Sequence, residues 1–430
     1  MEKLYLGVAR KVITPEIGGQ LFGYKPDIFS ESIEDDLTAT AFYFKQGDKQ
    51  ALMISVTVCS IKTELAESIA QTIEEKFGIK KENCLISATH THSGPNTAGM
   101  TGWGDVDTKY CNDIFVPQIL AAVGEAVSKT EAVTVGIAHG ESYVGINRRQ
   151  LLADNRLILG QNKRGCFNPL MTVVSFRNDE KKVIANMIHY GAHGTAAGMN
   201  HEITRDWSGI MTDTLEGLSG GITAFFNGTE GDVGPRLSNG GTTGNMKLVH
   251  ETGGVAARDA VKIYNTIYDY REAELIVSAQ DIKIPLKKRM TKEEATALLE
   301  MHKDARISKF ALMKKHSEDV LKSYEDGFID EEFMSVPQTV IGFNKLLFVG
   351  FPFELFSEIG MRIDDEVKDA CVLSLSNANG SEGYFVTEDA ICRSGYEVDM
   401  YLHIHLQQYE DNADFSLMTE TLSHIEKIIG

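Results

Sequence analysis

The sequence lacks several features, and each absence removes a class of protein. No apolar run reaches the roughly 18 residues that a membrane helix needs. The opening Met1-Glu2-Lys3-Leu4-Tyr5 has no apolar signal-peptide core. The six cysteines, Cys59, Cys84, Cys111, Cys166, Cys371 and Cys392, form no Cys-x-x-Cys pair. That argues against a tetrahedral cysteine zinc site and fits buried free thiols in a reducing cytoplasm. Basic residues are outnumbered, 42 Lys and Arg against 61 Asp and Glu, for a net charge of −19. Phosphate binding needs a basic face, so nucleic acid is excluded as a partner, and so is stable polybasic attachment to a membrane. There is no internal repeat, low-complexity tract or proline-rich linker.

What is present is ordinary globular material: 430 residues, 43% hydrophobic and 24% charged, enough for a large core. Residues Ala39–Phe44, Ala51–Val58, Val133–Ala138 and Met171–Phe176 read as strands. Leu65, Ile69, Ile73 and Phe77 recur every fourth residue and stop at Gly78, which predicts an amphipathic helix with a glycine stop. It runs into the apolar stretch Cys84–Ala88, completing a strand–helix–strand unit of parallel sense. Phe115–Val127 and Phe415–Ile429 read as helices, and Tyr401–Leu406 as a strand carrying His403 and His405. Thr291 and Glu294 form a capping-box pair that opens a helical hairpin, an insertion over about residues 287–335. The expected class is α/β: mixed sheets flanked by helices in a layered sandwich, as a single domain over 1–430.

The chemistry gathers where apolar runs give way to polar, glycine-bearing loops. Cys84–Ala88 leads to Thr89-His90-Thr91-His92-Ser93-Gly94-Pro95. Val183–Ile188 leads to His189 and His193, and Ile222–Phe226 to Glu230 and Asp232. Leu346–Val349 leads to Glu354, and Cys371–Leu375 to Asn377 and Asn379. Ligands of α/β sheets bind beyond the carboxyl ends of strands, so five such ends suggest one shared cleft. A hydrolytic metal site needs neutral imidazoles and a carboxylate, which His90, His193 and Glu354 offer. His90 and His92, two apart, point the same way only on extended backbone. A turn at Thr91 would leave one for a metal and the other for a substrate.

Other residues have plain alternatives. His189 competes with His193 as a ligand, and His201 reads as a surface residue. Asp206 is either a partner of a metal-bound histidine or a helix-start acid beside Trp207. Asp232 is a supporting acid or a turn residue. Glu358 and Arg362 fit an ion pair on a helix face, and the glycine-rich Asn239–Asn245 fits a mobile lid and lacks the Lys and helix context of a phosphate-cradling loop.

Taken in order, these stretches resemble the catalytic domain of the neutral/alkaline non-lysosomal ceramidase family. The matching segments are Gly7–Tyr24, Thr89–Pro95, Asn147-Arg148, His193-Gly194-Thr195 with Asp206, Pro352-Phe353-Glu354-Leu355, and Gly383–Thr387 with Tyr396-Glu397. The resemblance implies a Zn2+ ion held by His90, His193, Glu354 and Tyr384, with His92, Arg148 and Tyr396 around the reacting carbonyl. A phenol is an unusual ligand, but a divalent cation lowers its pKa. The function implied is zinc-dependent hydrolysis of an amide-like C–N bond in a small molecule by a metal-activated water, with His92 as general acid or oxyanion donor.

Two departures stand out. Gly231-Asp232-Val233-Gly234-Pro235 carries Gly234 where the family has a serine, and glycine has no side chain to act as nucleophile. The family's C-terminal immunoglobulin-like domain and a secretion signal are expected to be absent, which argues against membrane ceramide as substrate. The alternatives are a metal-bearing small-molecule-binding protein without hydrolytic activity, or a hydrolase of a carbohydrate or ester substrate.

Overall fold

In this computed structural model, which describes residues 2–430, two sheets pack face to face. The first has eight strands: β1 (Leu4–Val12), β2 (Thr38–Gln46), β3 (Lys49–Val56), β4 (Cys84–Ala88), β5 (Thr130–Glu141), β6 (Leu170–Asn178), β7 (Val183–Tyr190) and β8 (Ile222–Asn227), in the order β8-β7-β6-β5-β1-β2-β3-β4. The second has four, in chain order: β9 (Leu275–Pro285), β10 (Phe333–Phe343), β11 (Leu346–Gly350) and β12 (Cys371–Leu375). Most pairs are antiparallel. The pairs β3–β4, β7–β8 and β11–β12 are parallel, and each is bridged by a helix.

The period-2 alternation of strands explains the layering. On β2, Phe42 and Phe44 face the second sheet, while Ala39, Ala41 and Tyr43 face helices. On β3, Ala51 and Met53 take the first side and Leu52, Ile54 and Val56 the other. Phe44 is the seam between the sheets, with ring centroids 5.5 Å from Phe176 and 4.8 Å from Phe343. Truncating such a ring to alanine costs about 3–5 kcal/mol.

The outer face of the first sheet is covered by α1 (Thr63–Phe77), α2 (Val116–Ser128), α3 (Asp206–Ser219) and α4 (Met246–Tyr264). Ile69 and Ile73 of α1 are buried on the predicted stripe, and Gly78 ends the helix at φ 69°. The hairpin comprises α5 (Lys292–His302), opened by the Thr291–Glu294 capping box, and α6 (Ser308–Glu325). Beyond it come α7 (Ser357–Glu366), α8 (Tyr396–His403) and α9 (Ala413–Ile429). Together α7 and α9 cover the second sheet with Ile359, Ile363, Leu417 and Ile425, and Leu312 of α6 joins that core. The fold is α/β, with mixed sheets inside a sandwich of helices.

Three local features differ from the sequence expectation or add to it. Tyr401–Leu406 is not a strand: α8 runs to His403, because Tyr396, Met400 and Tyr401 share one helical face against the core. A π-turn over Cys111–Phe115 precedes α2. The chain turns at His90 itself, where φ is +66°, rather than at Thr91.

Candidate metal centre

The carboxyl ends of β4, β7, β8, β11 and β12 open on the same side, and hydrogen bonds tie their loops together. The loops after β4 and β7 touch backbone to backbone. Gly194 donates to the His90 carbonyl at 3.2 Å, and His92 donates back to Gly194 at 3.1 Å. A Cβ on Gly194 would sit 2.7 Å from that carbonyl, so only glycine permits the approach. Asn377, after β12, donates to Glu230 Oε1, after β8, at 2.6 Å.

His90, His193 and Glu354 meet at this end. His90 Nδ1 lies 2.8 Å from the Cys59 carbonyl, and His193 Nδ1 lies 2.9 Å from the Glu230 carbonyl and 3.1 Å from that of Val233. A carbonyl only accepts, so each Nδ1 carries a proton, and each ring in its neutral form turns an Nε2 lone pair outward. Those lone pairs face one carboxylate oxygen: His90 Nε2 is 3.4 Å and His193 Nε2 3.1 Å from Glu354 Oε2. His193 Nε2 and Glu354 Oε2 are buried without a hydrogen-bond partner. Lone pairs facing a carboxylate at this range repel unless a cation or proton lies between them. Burial opposes charge on Glu354, but His90 and His193 hold its carboxyl well below the ordinary range. Burial, then Arg148, pushes His193 down to about 3, keeping it neutral. The donor set therefore fits a divalent cation, and two imidazoles with a carboxylate suit zinc better than magnesium or calcium.

Tyr384 pairs with Glu354 in a short parallel bridge. Its hydroxyl accepts from Arg148 Nη2 at 2.9 Å. Burial pushes this phenol well above its ordinary value, against the pull of Arg148. Arg148 also donates through Nε to Glu397 Oε1 at 2.9 Å, while Arg149 donates to Glu397 Oε2 at 2.7 Å. Glu397 is fully buried, so one carboxylate fixes two guanidiniums. Tyr396 meets Tyr384 edge-on at 5.9 Å. His92 does not part from His90: their Nε2 atoms are 3.2 Å apart. Its ring lies edge-on to Tyr24 at 4.9 Å, and a Cβ on Gly23 would fall 2.4 Å from His92 Nδ1. Burial and the neighbouring imidazoles push His92 well below its ordinary value.

The remaining candidates lie elsewhere. His189 points away and bonds the Ser374 carbonyl through Nε2 at 3.0 Å. His201 is exposed and bonds the Phe29 carbonyl. Asp206 does not touch a histidine ring. It accepts from Ala196, Ala197 and Trp207 backbone amides, holding the loop behind His193. Asp232 accepts from Asn147 Nδ2 and the Ser357 amide, joining two loops to α7. Burial pushes both carboxyls up to about 6. Glu358 and Arg362 form their ion pair on the exposed face of α7. Glu230, Asn377 and Glu397 had no assigned role in the sequence reading, because their contacts depend on partners far along the chain.

A family model for the neutral/alkaline non-lysosomal ceramidase N-terminal region matches residues 4–252, more than half of the chain. The chain belongs to this ceramidase family. Among curated relatives, the neutral ceramidase of Mycobacterium tuberculosis (strain ATCC 25618 / H37Rv) is 28% identical over 246 residues, covering 50% of this chain and 38% of the relative. Neutral ceramidase A of Dictyostelium discoideum is 26% identical over 223 residues, covering 46% and 30%. The matches thus span well under half the length of these ceramidases. The crystal structure of neutral ceramidase from Pseudomonas aeruginosa superposes with TM-score 0.77 at 18% identity, over 99% of this chain and 74% of that one. A ceramidase complexed with C2 gives TM-score 0.76 at 16% identity, over 100% and 76%. The ceramidase fold thus extends through the second sheet, beyond residue 252.

Proposed function

We propose that this ceramidase-family chain is a zinc-dependent hydrolase of an amide-like C–N bond in a small molecule. The observation that carries the reading is the convergence of two Nδ1-anchored imidazoles on the unpartnered oxygen of Glu354. His90, His193 and Glu354 would hold the ion, with Tyr384 as a fourth ligand. A zinc ion supplies carbonyl polarisation and makes water a nucleophile at neutral pH.

The protein's own groups do the rest. Glu397 keeps Arg148 oriented, and Arg148 donates to the Tyr384 oxygen, which favours the phenolate that a cation requires. His92, neutral and held between Gly23 and Tyr24, lies beside His90 and offers a hydrogen bond to a substrate oxygen or leaving nitrogen. Tyr396 brings a neutral phenol to the same wall, suited to donate to a developing oxyanion. We assign residues 1–430 to one catalytic unit with the hairpin as an insertion. The unpaired cysteines favour a reducing compartment, the cytoplasm. Among the described residues, no helix is long and apolar enough to cross a membrane.

The test combines elemental analysis with turnover of N-acyl amides. The expected result is about one equivalent of zinc, with hydrolysis lost on chelation and restored by zinc. A protein purified from zinc-replete medium without a divalent metal, and binding none when it is added, overturns the reading. Gly234 supports a second reading, a binding protein without turnover. Tight ligand binding alongside inactivity on amides, esters and carbohydrate esters would favour it.

A further inference from the structure

Gly234 lies in the short strand Val233–Pro235, paired with Ile146, and the preceding Val233 carbonyl anchors His193 Nδ1. The space beside it is taken. A Cβ at 234 would meet Thr242 Cβ and Cγ2, each at 2.8 Å, with Arg148 Cβ 3.7 Å away. Real Cβ atoms do not approach so closely, so the Thr242 methyl fills the volume that a side chain at 234 would need.

Thr242 reaches this wall from the glycine-rich loop 238–245. It is only 7% exposed, while Ser238, Asn239, Gly240 and Thr243 around it are exposed. Its carbonyl accepts from Thr195 Oγ1 at 2.8 Å, two residues after His193. Gln161 Nε2 donates to the carbonyls of Leu237 at 2.8 Å and Gly241 at 2.7 Å. An otherwise solvent-facing loop is thus pinned with one methyl-bearing side chain turned inward, next to the stem of Arg148.

We propose that Thr242 is a specificity-determining residue, whose side chain sets the size of the substrate group accepted beside Arg148. The proposal rests on the metal-site reading above, because it takes the acyl part of a metal-directed ligand to lie along this wall. The ligand class is an acyl group attached to a polar head that seeks the metal.

Two measurements test it. The first is calorimetric binding of acyl hydroxamates, from acetyl through branched and long-chain acyl groups, to zinc-loaded wild type, Thr242→Gly and Thr242→Ser. The serine variant removes only the methyl and guards against misfolding of the glycine variant. One methyl-sized change in an apolar wall shifts selectivity by roughly tenfold or more. The expected result is that both variants gain at least that factor for bulky over acetyl hydroxamate, with metal content unchanged. An unchanged size profile overturns the proposal.

The second measurement is a double-mutant cycle on thermal stability. Gly234→Ser is expected to destabilise the wild type, and to do so much less in the Thr242→Gly background. Additive effects would show that the two positions do not share space, and overturn the proposal. If wild type takes up zinc but binds none of the hydroxamates, the specificity role falls and the metal reading stands. If it takes up no zinc, the metal reading falls too, and the cycle then reports packing alone.

Discussion

Among the described residues, two clusters of histidines contrast, and one of them is built like a ligand set. At the strand ends, His90 and His193 each bond a carbonyl through Nδ1 and turn Nε2 toward Glu354. Where α6 packs on α8, His316 and His403 meet ring edge to ring face at 5.2 Å, and His403 Nδ1 bonds the Asp399 carbonyl at 2.7 Å. His405 lies nearby, 3.6 Å from Glu382. No carboxylate is shared by this second group, and its nitrogens do not converge. Among the described residues, both groupings of metal-ligating atoms within 4.8 Å of one another include His90, and none includes His316. Burial alone does not make a site: convergence of lone pairs on a carboxylate does.

The largest expected effect separates the two clusters. On the proposed zinc-hydrolase reading, His193→Ala should remove the metal and lower hydrolysis by about 10³-fold, on the order of several kcal/mol of carbonyl polarisation. His316→Ala should leave metal content unchanged and lower stability instead. Elemental analysis with denaturant unfolding of both variants checks this. Zinc lost from the His316 variant, or kept by the His193 variant, would break the distinction.

How much of this was legible in the sequence follows from where each contact comes from. The strand ends bearing His90, His193 and Glu354 could be read because an apolar run stopped by glycine is a local signal. The proposed ligand set and the proposed roles of His92, Arg148 and Tyr396 rest on the family resemblance. The layering of β2 and β3 follows from alternation along each strand. Glu397 was not legible as a clamp, since its partners Arg148 and Arg149 lie about 250 residues earlier and nothing local distinguishes it from a surface acid. Tyr401–Leu406 misled because its aromatic and branched residues favour strands, while tertiary packing of α8 prevailed. Thr242 gave no sign, because its burial depends on a glycine eight positions earlier.

A smaller effect is the response to acid, to which buried histidines and raised buried carboxyls contribute with opposite signs. Burial holds His316 and His405 down at about 4 in the folded protein. Their folded values lie below the unfolded value near 6.5, so they contribute stability above about pH 6.5 that is lost as pH falls toward 4. Each is worth on the order of 3 kcal/mol. Burial raises Asp206 and Asp232 near the centre to about 6. Those carboxyls favour the folded state below about pH 4 and lose that contribution as pH rises through 6. Unfolding of His316→Asn between pH 6.5 and 4 should therefore show a shallower loss than wild type, by about one proton. An unchanged slope would place this histidine's titration elsewhere.

The last contrast uses α8, which touches both regions, and one of its two arms is the smallest effect expected. Glu397 binds Arg148 and Arg149 from a fully buried position, while Asp399 pairs with Lys309 of α6 where both side chains are 25% exposed. Removing one partner of a buried pair strands the other charge, at about 3–5 kcal/mol, whereas a partly solvated pair is worth about 0.2–1 kcal/mol. Glu397→Gln should destabilise strongly, lower kcat/KM and respond little to salt, because no water screens the arginines it leaves. Asp399→Asn should cost at most about 1 kcal/mol, leave zinc and turnover unchanged, and lose its effect as salt is raised. Urea unfolding of both variants at low and high salt measures the difference. Equal costs with equal salt sensitivity would mean that the hairpin junction and the metal-side wall are held by the same kind of contact.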